Sequence, residues 1–344
     1  MLILLFMLNE INIVTAARQE ITSPSEIRDY RQLIELFLSE FDRKESTKKT
    51  YRNSLLRFFL FIETTGRTLD NLSRKDIIDF KNDLLTGKEH HTVLTVSTYI
   101  SAIKQFYRWA EAEKLYPNIA AGITLPRNRE YFIKEHLTKE ECLQLFEYLL
   151  SPASAKEHKH TFESQEEVRL RNYAMIFTML WTGLRTIEVS RLDVCDITTK
   201  SGVRVLRVWG KGRDGKDDFV PLPDDVYDKI MDYLRARSVY TDNDPLFAAE
   251  GYGSKGGRLT TRRIQQICKE SLRGIGLDGH AYSAHSLRHT TAVQILLNGG
   301  DMYDVFYTLR HVDPAVSQKY VKSIEQERRL QMSGERFLKK AFTE

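Results

Sequence analysis

A chain of 344 residues, 42% apolar and 28% charged, is long enough for two cored domains and too apolar to be disordered. Its net charge of +4 permits a polyanionic partner without demanding one. Its three scattered cysteines, Cys142, Cys195 and Cys268, exclude a disulfide framework or a CxxC metal site and fit a reducing cytosol. The apolar run from Met1 to Leu8 is too short to span a bilayer and lacks the basic start of a signal peptide, so residues 1–27 read as a tail. No repeat of solenoid period is present.

From Tyr30 to about Gly122 the apolar spacing is helical. Tyr51 to Phe61 carries Leu55, Phe58 and Phe59, with Ile62 just beyond, on one face. Thr95 to Ala112 carries Val96, Ile100, Ile103, Tyr107 and Ala110, with Ser97, Ser101, Lys104 and Arg108 opposite. Asp70 and Ser73 sit where helix starts are capped. The basic, proline-marked stretch around Pro126 to Lys134 lacks periodicity and reads as a linker. A new helix starts after it, where Thr138 and Glu141 form a capping box and Leu137 a staple.

The polar stretch Ser151–Ser164 reads as a surface loop, after which Tyr173, Ile176, Phe177, Leu180 and Trp181 resume helical spacing. The period then changes. Val194 to Thr198, Val203 to Trp209 and Asp218 to Leu222 are β-branched and aromatic, separated by Lys200-Ser201-Gly202 and a loop containing Asp214-Gly215. That pattern predicts a three-stranded antiparallel meander. The remainder is helical, and Asp313-Pro314 starts a short helix that carries Tyr320. The chain divides into a tail (1–27), a helical domain (28–125), a linker (126–135), an α+β domain (136–330) and a C-terminal tail (331–344).

Six residues in order carry the chemistry: Arg185 in Thr-Gly-Leu-Arg, Lys211 in Gly-Lys-Gly, His285 and Arg288 in His-Ser-Leu-Arg-His, His311, and Tyr320 nine positions later. Each has a plain reading alone. Gly210-Lys211-Gly212 is a hairpin turn, and no GxxxxGK[ST] makes it a phosphate loop. His285 and His289 lack the glutamate of HExxH, and Arg288 between them repels a dication. Tyr303 and Tyr307 share helical spacing with Val305 and Leu309, which suggests packing. The ordered set is specific where its pieces are not.

That set resembles the tyrosine recombinases, the family of phage and transposon integrases, Xer-type resolvases and invertases, over residues 30 to 330. The resemblance implies a mainly α protein: an all-α, SAM-like core-binding domain, then an α+β catalytic domain with a small antiparallel three-stranded sheet. It implies cleavage and rejoining of double-stranded DNA through a 3′-phosphotyrosyl bond, with no metal, nucleotide or other cofactor. Tyr320 would be the nucleophile. Arg185 and Arg288 would grip the phosphate in planar forks, His285 and His311 would add donors, and Lys211 would protonate the leaving 5′-oxygen. Glu188, one helical turn beyond Arg185, would hold an arginine or histidine in place.

Two positions depart from the family's pattern. Arg310 stands where a glycine often precedes the histidine, and could contact phosphate. Asp218 stands where a basic residue is common, in a slightly longer hairpin that leaves Lys216 as an alternative acid. Lys211 is favoured because it directly follows the strand and matches the motif position.

The resemblance also implies that both domains embrace the duplex. Thr47, Lys48, Lys49, Arg52, Thr95, Ser97, Lys104 and Arg108 would contact it from the first domain, and Arg262, Arg263 and Lys269 from the second. Only about 28 residues precede the first helix, too few for a separate arm-binding domain. Recombination would need a homo-tetramer on paired sites, with accessory DNA-bending proteins as possible partners and no membrane. The residues from Glu325 to Ala341 read as a helix that docks on a neighbouring protomer. The expected setting is cytoplasmic, on the nucleoid. Rival functions are a type IB topoisomerase and a catalytically silent DNA-binding accessory protein.

Overall fold

The computed structural model describes residues 29–87, 89–126, 135–155, 165–210, 215–249, 256–318, 320, 321, 324 and 342. The chain forms two compact units, 1–131 and 132–344. No helix among the described residues is long and apolar enough to cross a membrane. The stretch from Met1 to Leu8, most of the linker, residues 156–164 of the polar insertion, Lys211 and the segment from Glu325 to Ala341 lie outside the described residues.

The first unit holds α1 (Tyr30–Glu40), α2 (Glu45–Thr64), α3 (Arg74–Thr86) and α4 (Val93–Ala112). Side-chain caps set three of their starts. Asp29 accepts the N–H of Arg31, Ser73 and Asp76 form a reciprocal capping box, and Thr92 accepts the N–H of Thr95. The sequence reading of Asp70 as a cap is corrected here. Asp70 lies inside a short 3₁₀ turn, Leu69–Asn71, whose cap is Thr68. The helices read from Tyr51 and Thr95 begin earlier, at Glu45 and Val93; the first turn of the one is polar, and that of the other carries the exposed Leu94, off its buried face. The apolar faces meet in one core built on Leu33, Phe37, Phe58, Phe59, Phe80, Ile100 and Phe106. Phe106 meets Phe37 and Phe59 edge-on, with ring centroids 5.8 and 5.6 Å apart. Such pairs each add about 0.5–1.5 kcal/mol beyond burial.

The second unit starts with α5 (Lys139–Leu150), where the Thr138–Glu141 box forms as the sequence predicts. Leu137 before it is buried, and its N–H donates to the Thr290 hydroxyl (2.9 Å), tying the start of this unit to a distant helix. Helix α6 (Gln165–Thr182) is buried on most of its circumference from Arg171 to Leu180 and is packed by α5, α8 and α10. A short helix α7 (Thr186–Ser190) follows Gly183, then the sheet.

Strands β1 (Ile197–Lys200), β2 (Val203–Val208) and β3 (Asp218–Pro221) pair antiparallel in the order β1-β2-β3. Lys200 faces Val203 across a two-residue turn, and Ser201 (φ 51°) and Gly202 (φ 79°) both take left-handed backbone, the geometry that matches strand twist. Val194–Asp196, read from the sequence as the start of the first strand, is a 3₁₀ turn in which Asp196 closes back on the Asp193 N–H. Local side-chain bonding of Asp overrides the β preference of Val194 there.

Helices α8 (Asp224–Arg237), α9 (Thr261–Gly274), α10 (Ala284–Leu297) and α11 (Met302–Leu309) complete the unit. Helical backbone resumes at Pro314, where Asp313 accepts the N–H of Ala315, and includes Tyr320. Tyr320, Val321 and Ile324 pack on a small apolar cluster of Ala292, Val293, Leu296, Val305 and Leu309. The segment with Tyr320 is therefore seated by α10 and α11 of its own chain.

Candidate active site

Four elements converge around Tyr320. Helix α6 ends at Gly183, whose φ of +60° turns the chain left-handed. A Cβ at Gly183 would press on the Leu309 side chain and take up a strained left-handed backbone, so glycine suits this turn. The turn places Arg185 at the N-cap of α7, where Glu188 closes a box. Glu188 Oε2 accepts the Arg185 backbone N–H (2.7 Å) and Oε1 accepts from its guanidinium (2.8 Å). Glu188 therefore holds Arg185 through both carboxylate oxygens.

Helix α10 supplies His285, Arg288 and His289 at i, i+3 and i+4, one face of the helix. Ser283 caps its start by accepting the His285 N–H, and His285 is exposed. Arg288 is 2% exposed and donates to the backbone carbonyls of Gly183 and Leu309. Carbonyls satisfy its N–H groups without cancelling its charge. Burial first, and then the Arg185 charge, push its pKa down to about 10, so at neutral pH the guanidinium stays cationic.

The charges of Arg288 and Arg185 act on the Tyr320 phenol. Its ring lies parallel to that of His311, with centroids 5.8 Å apart and planes 5° apart, and His289 flanks it at 5.0 Å. Burial raises the phenol pKa, and the charges of Arg288 and Arg185 work against that rise. His311 is buried, and the buried Ser317 hydroxyl lies 2.7 Å from its Nδ1, which fixes the rotation of the ring. His289 and Ser317 were not singled out as site residues. The contact between His311 and Ser317 spans six positions, a separation with no periodic signature.

Lys211 lies outside the described residues. Lys216, the alternative acid, has its ammonium gripped by Asp193 (2.6 Å) and by the fully buried Asp196. Arg258 and Arg207 join the same two carboxylates, so Lys216 belongs to a charge network that anchors the return to β3. Tyr303 and Tyr307, expected to pack, are 59% and 71% exposed. The apolar stripe of α11 is Val305 and Leu309 alone, and the two tyrosines face outward.

The residues read from the sequence as DNA contacts fall into two groups. Several are engaged within their own unit. Arg52 is bidentate to Glu35 (2.6 and 2.7 Å), and Lys48 pairs with Glu45. Ser97 donates to the Pro126 carbonyl, Lys104 donates to that of Ile123, and the Thr95 hydroxyl bonds Thr92. Arg263 pairs with Glu270, and Lys269 donates to the carbonyls of Asp278 and Gly279. Lys49, Arg108 and Arg262 are exposed, and Thr47 is half-buried.

Fixed cations, imidazoles and a half-buried phenol gather here, a composition suited to anionic oxygen. Comparison with known proteins agrees. Residues 136–327 match the phage integrase family, and residues 32–114 match the phage integrase N-terminal SAM-like domain. The chain is 32% identical to tyrosine recombinase XerC of Pelobacter propionicus over 222 residues, 64% of this chain and 66% of that protein. It is 28% identical to a tyrosine recombinase of Thermosipho africanus over 289 residues, 83% of this chain and 91% of the relative. Its fold is similar to that of the XerH site-specific recombinase bound to palindromic difH substrate in a post-cleavage complex. The TM-score is 0.67 at 23% identity, covering 89% of this chain and 84% of that one. The chain therefore belongs to the phage integrase family and is a tyrosine recombinase, an enzyme that cleaves and rejoins DNA.

Proposed function

We propose that Tyr320 cleaves one strand of a specific duplex site by attacking a phosphodiester held between Arg185 and Arg288. The bond from the phenol oxygen to phosphorus forms, and the bond from phosphorus to the 5′-oxygen breaks. The phenol gives up its proton, and Lys211 supplies one to the departing oxygen. The 3′-phosphotyrosyl bond keeps the energy of the phosphodiester, so rejoining is the reverse step and needs neither nucleotide nor metal. Arg185, Arg288, His285 and His311 stabilise the charge on the non-bridging oxygens, and Glu188 positions Arg185. The observation that carries this reading is the Tyr320 ring stacked beside that of His311, with the charges of the buried Arg288 and of Arg185 acting on its phenol.

Residues 28–125 act as the core-binding domain and 136–330 as the catalytic domain. Thr47, Lys48, Lys49, Arg52, Thr95, Ser97, Lys104, Arg108, Arg262, Arg263 and Lys269 are its DNA-contact set. Of these, the exposed Lys49, Arg108 and Arg262 need no internal partner exchanged to reach phosphate. Two sites with two protomers each make the working assembly a tetramer, acting on the nucleoid where duplex DNA lies.

The test begins by letting the protein select its site from a random-sequence duplex pool. Two copies of that site on separate molecules are then incubated with the wild-type chain and with Tyr320→Phe. Strand exchange by wild type alone supports the reading. Relaxation of supercoiled DNA without exchange identifies a topoisomerase, and binding without cleavage identifies an accessory protein.

A further inference from the structure

The two departures from the family's pattern, Arg310 and Asp218, meet in space although 92 positions apart (310 − 218). Arg310 Nε lies 3.6 Å from Asp218 Oδ2, and a terminal nitrogen donates to Glu188 Oε2 at 2.8 Å. The side chain is only 10% exposed. The residue ends α11 with φ at +50°, a left-handed backbone that a side-chain-bearing residue adopts rarely. A strained, buried arginine with two carboxylate partners is held by its surroundings, and those surroundings are the active site.

Glu188 is the shared element. Its Oε1 takes the Arg185 guanidinium, and its Oε2 takes both the Arg185 backbone N–H and Arg310. Arg310 therefore does two things to Glu188. It fixes the carboxylate's rotation, and it draws off part of the negative charge that would otherwise act wholly on Arg185. Asp218 keeps the balance: three guanidiniums (Arg185, Arg288, Arg310) against two carboxylates (Glu188, Asp218) leave one net positive charge. Two guanidiniums and one carboxylate would leave the same.

Resting on the cleavage reading above, we propose that Arg310 is a positioning residue, with Asp218 as its counter-ion. It holds Glu188 so that Arg185 is presented to the phosphate with its charge only partly neutralised.

The test uses the full chain and a nicked suicide duplex built on its selected site, read as the single-turnover rate of covalent adduct formation at saturating protein. Glycine fits the left-handed backbone, so Arg310→Gly removes the guanidinium without new strain. It is expected to slow adduct formation ~10-fold, the scale of one lost hydrogen bond to a charged group, with DNA affinity and melting temperature little changed. Asp218→Asn leaves the guanidinium in place and is expected to slow it ~3-fold through the same coupling. It serves as the second test should Arg310→Gly melt early. Both losses are expected to vanish in a Glu188→Gln background, because the effect runs through that carboxylate. Wild-type rates in Arg310→Gly overturn the proposal. So does a loss that persists undiminished beside Glu188→Gln, which would make Arg310 a direct phosphate contact. In either case adduct formation by the wild-type chain, lost in Tyr320→Phe, leaves the cleavage reading intact. No adduct from wild type removes that reading and this inference with it.

Discussion

The two units treat buried charge in opposite ways. Among its described residues the first unit buries one carboxylate and no cation. That carboxylate, Asp76, is held by Ser73 and Arg67. The rest of its buried side chains are aliphatic and aromatic apart from Ser54, whose hydroxyl donates to the Thr50 carbonyl. The second unit buries Arg171, Glu188, Asp196, Arg237, Arg288, His289 and His311. Burying charge is costly unless each group is paired or hydrogen-bonded, so a fold that does it repeatedly is specialised for more than packing. Arg171 and Arg237 brace loops through the carbonyls of Ala248 and Pro245. Arg288 and His311 lie beside the Tyr320 ring, and Glu188 holds Arg185 and Arg310. The first unit holds itself together by packing, whereas the second also keeps charged groups in its interior.

Substitutions break this contrast at predictable sizes. Lys211→Ala should slow cleavage by roughly 10²–10⁴-fold, the range for a general acid. A substrate with sulfur at the 5′-bridging position should restore the rate, because a thiolate leaves without a proton. Lys216→Ala should lower the melting temperature and gain nothing from that substrate; rescue of Lys216→Ala alone would exchange the two roles. Phe58→Ala should cost about 3–5 kcal/mol in the first unit. Denaturant unfolding of the full chain should then show an early transition for that unit and an unmoved one for the second. A single shifted transition would deny the units their independence. Arg185→Ala should lose at least ~10²-fold in adduct formation with DNA binding retained, measured by gel shift beside the cleavage assay. Unchanged cleavage would remove Arg185 from the site. Thr138→Ala should cost only about 1 kcal/mol, seen as a small drop in denaturation midpoint with cleavage unaffected.

Much of this organisation was legible in the sequence because it rests on local signals. The Thr138–Glu141 box, the Ser201-Gly202 turn and the apolar stripe of α4 each follow from a few neighbouring residues, and each is present. The spacing of Arg185 to Glu188 likewise announced their contact. What the sequence hid was long-range or competitive. Asp196 turns Val194–Asp196 into a 3₁₀ turn by bonding the Asp193 N–H, against the β preference of Val194. Arg310 and Asp218 looked like two unrelated departures, and only the folded chain pairs them, with Arg310 reaching on to Glu188. Tyr303 and Tyr307 share a helical period with Val305 and Leu309, yet the stripe is too narrow to include them. Lys216, read as the alternative to Lys211, is held by Asp193 and Asp196, partners too distant in the chain to be foreseen.

The most direct measurement maps the covalent bond itself. The wild-type chain is trapped on the nicked duplex, digested with protease, and the peptide carrying the nucleotide is sequenced by mass spectrometry. The account predicts a phosphate ester on the Tyr320 oxygen and no adduct at all from Tyr320→Phe. Nucleotide attached to Tyr303, Tyr307 or any other residue, or adduct surviving in Tyr320→Phe, would contradict it.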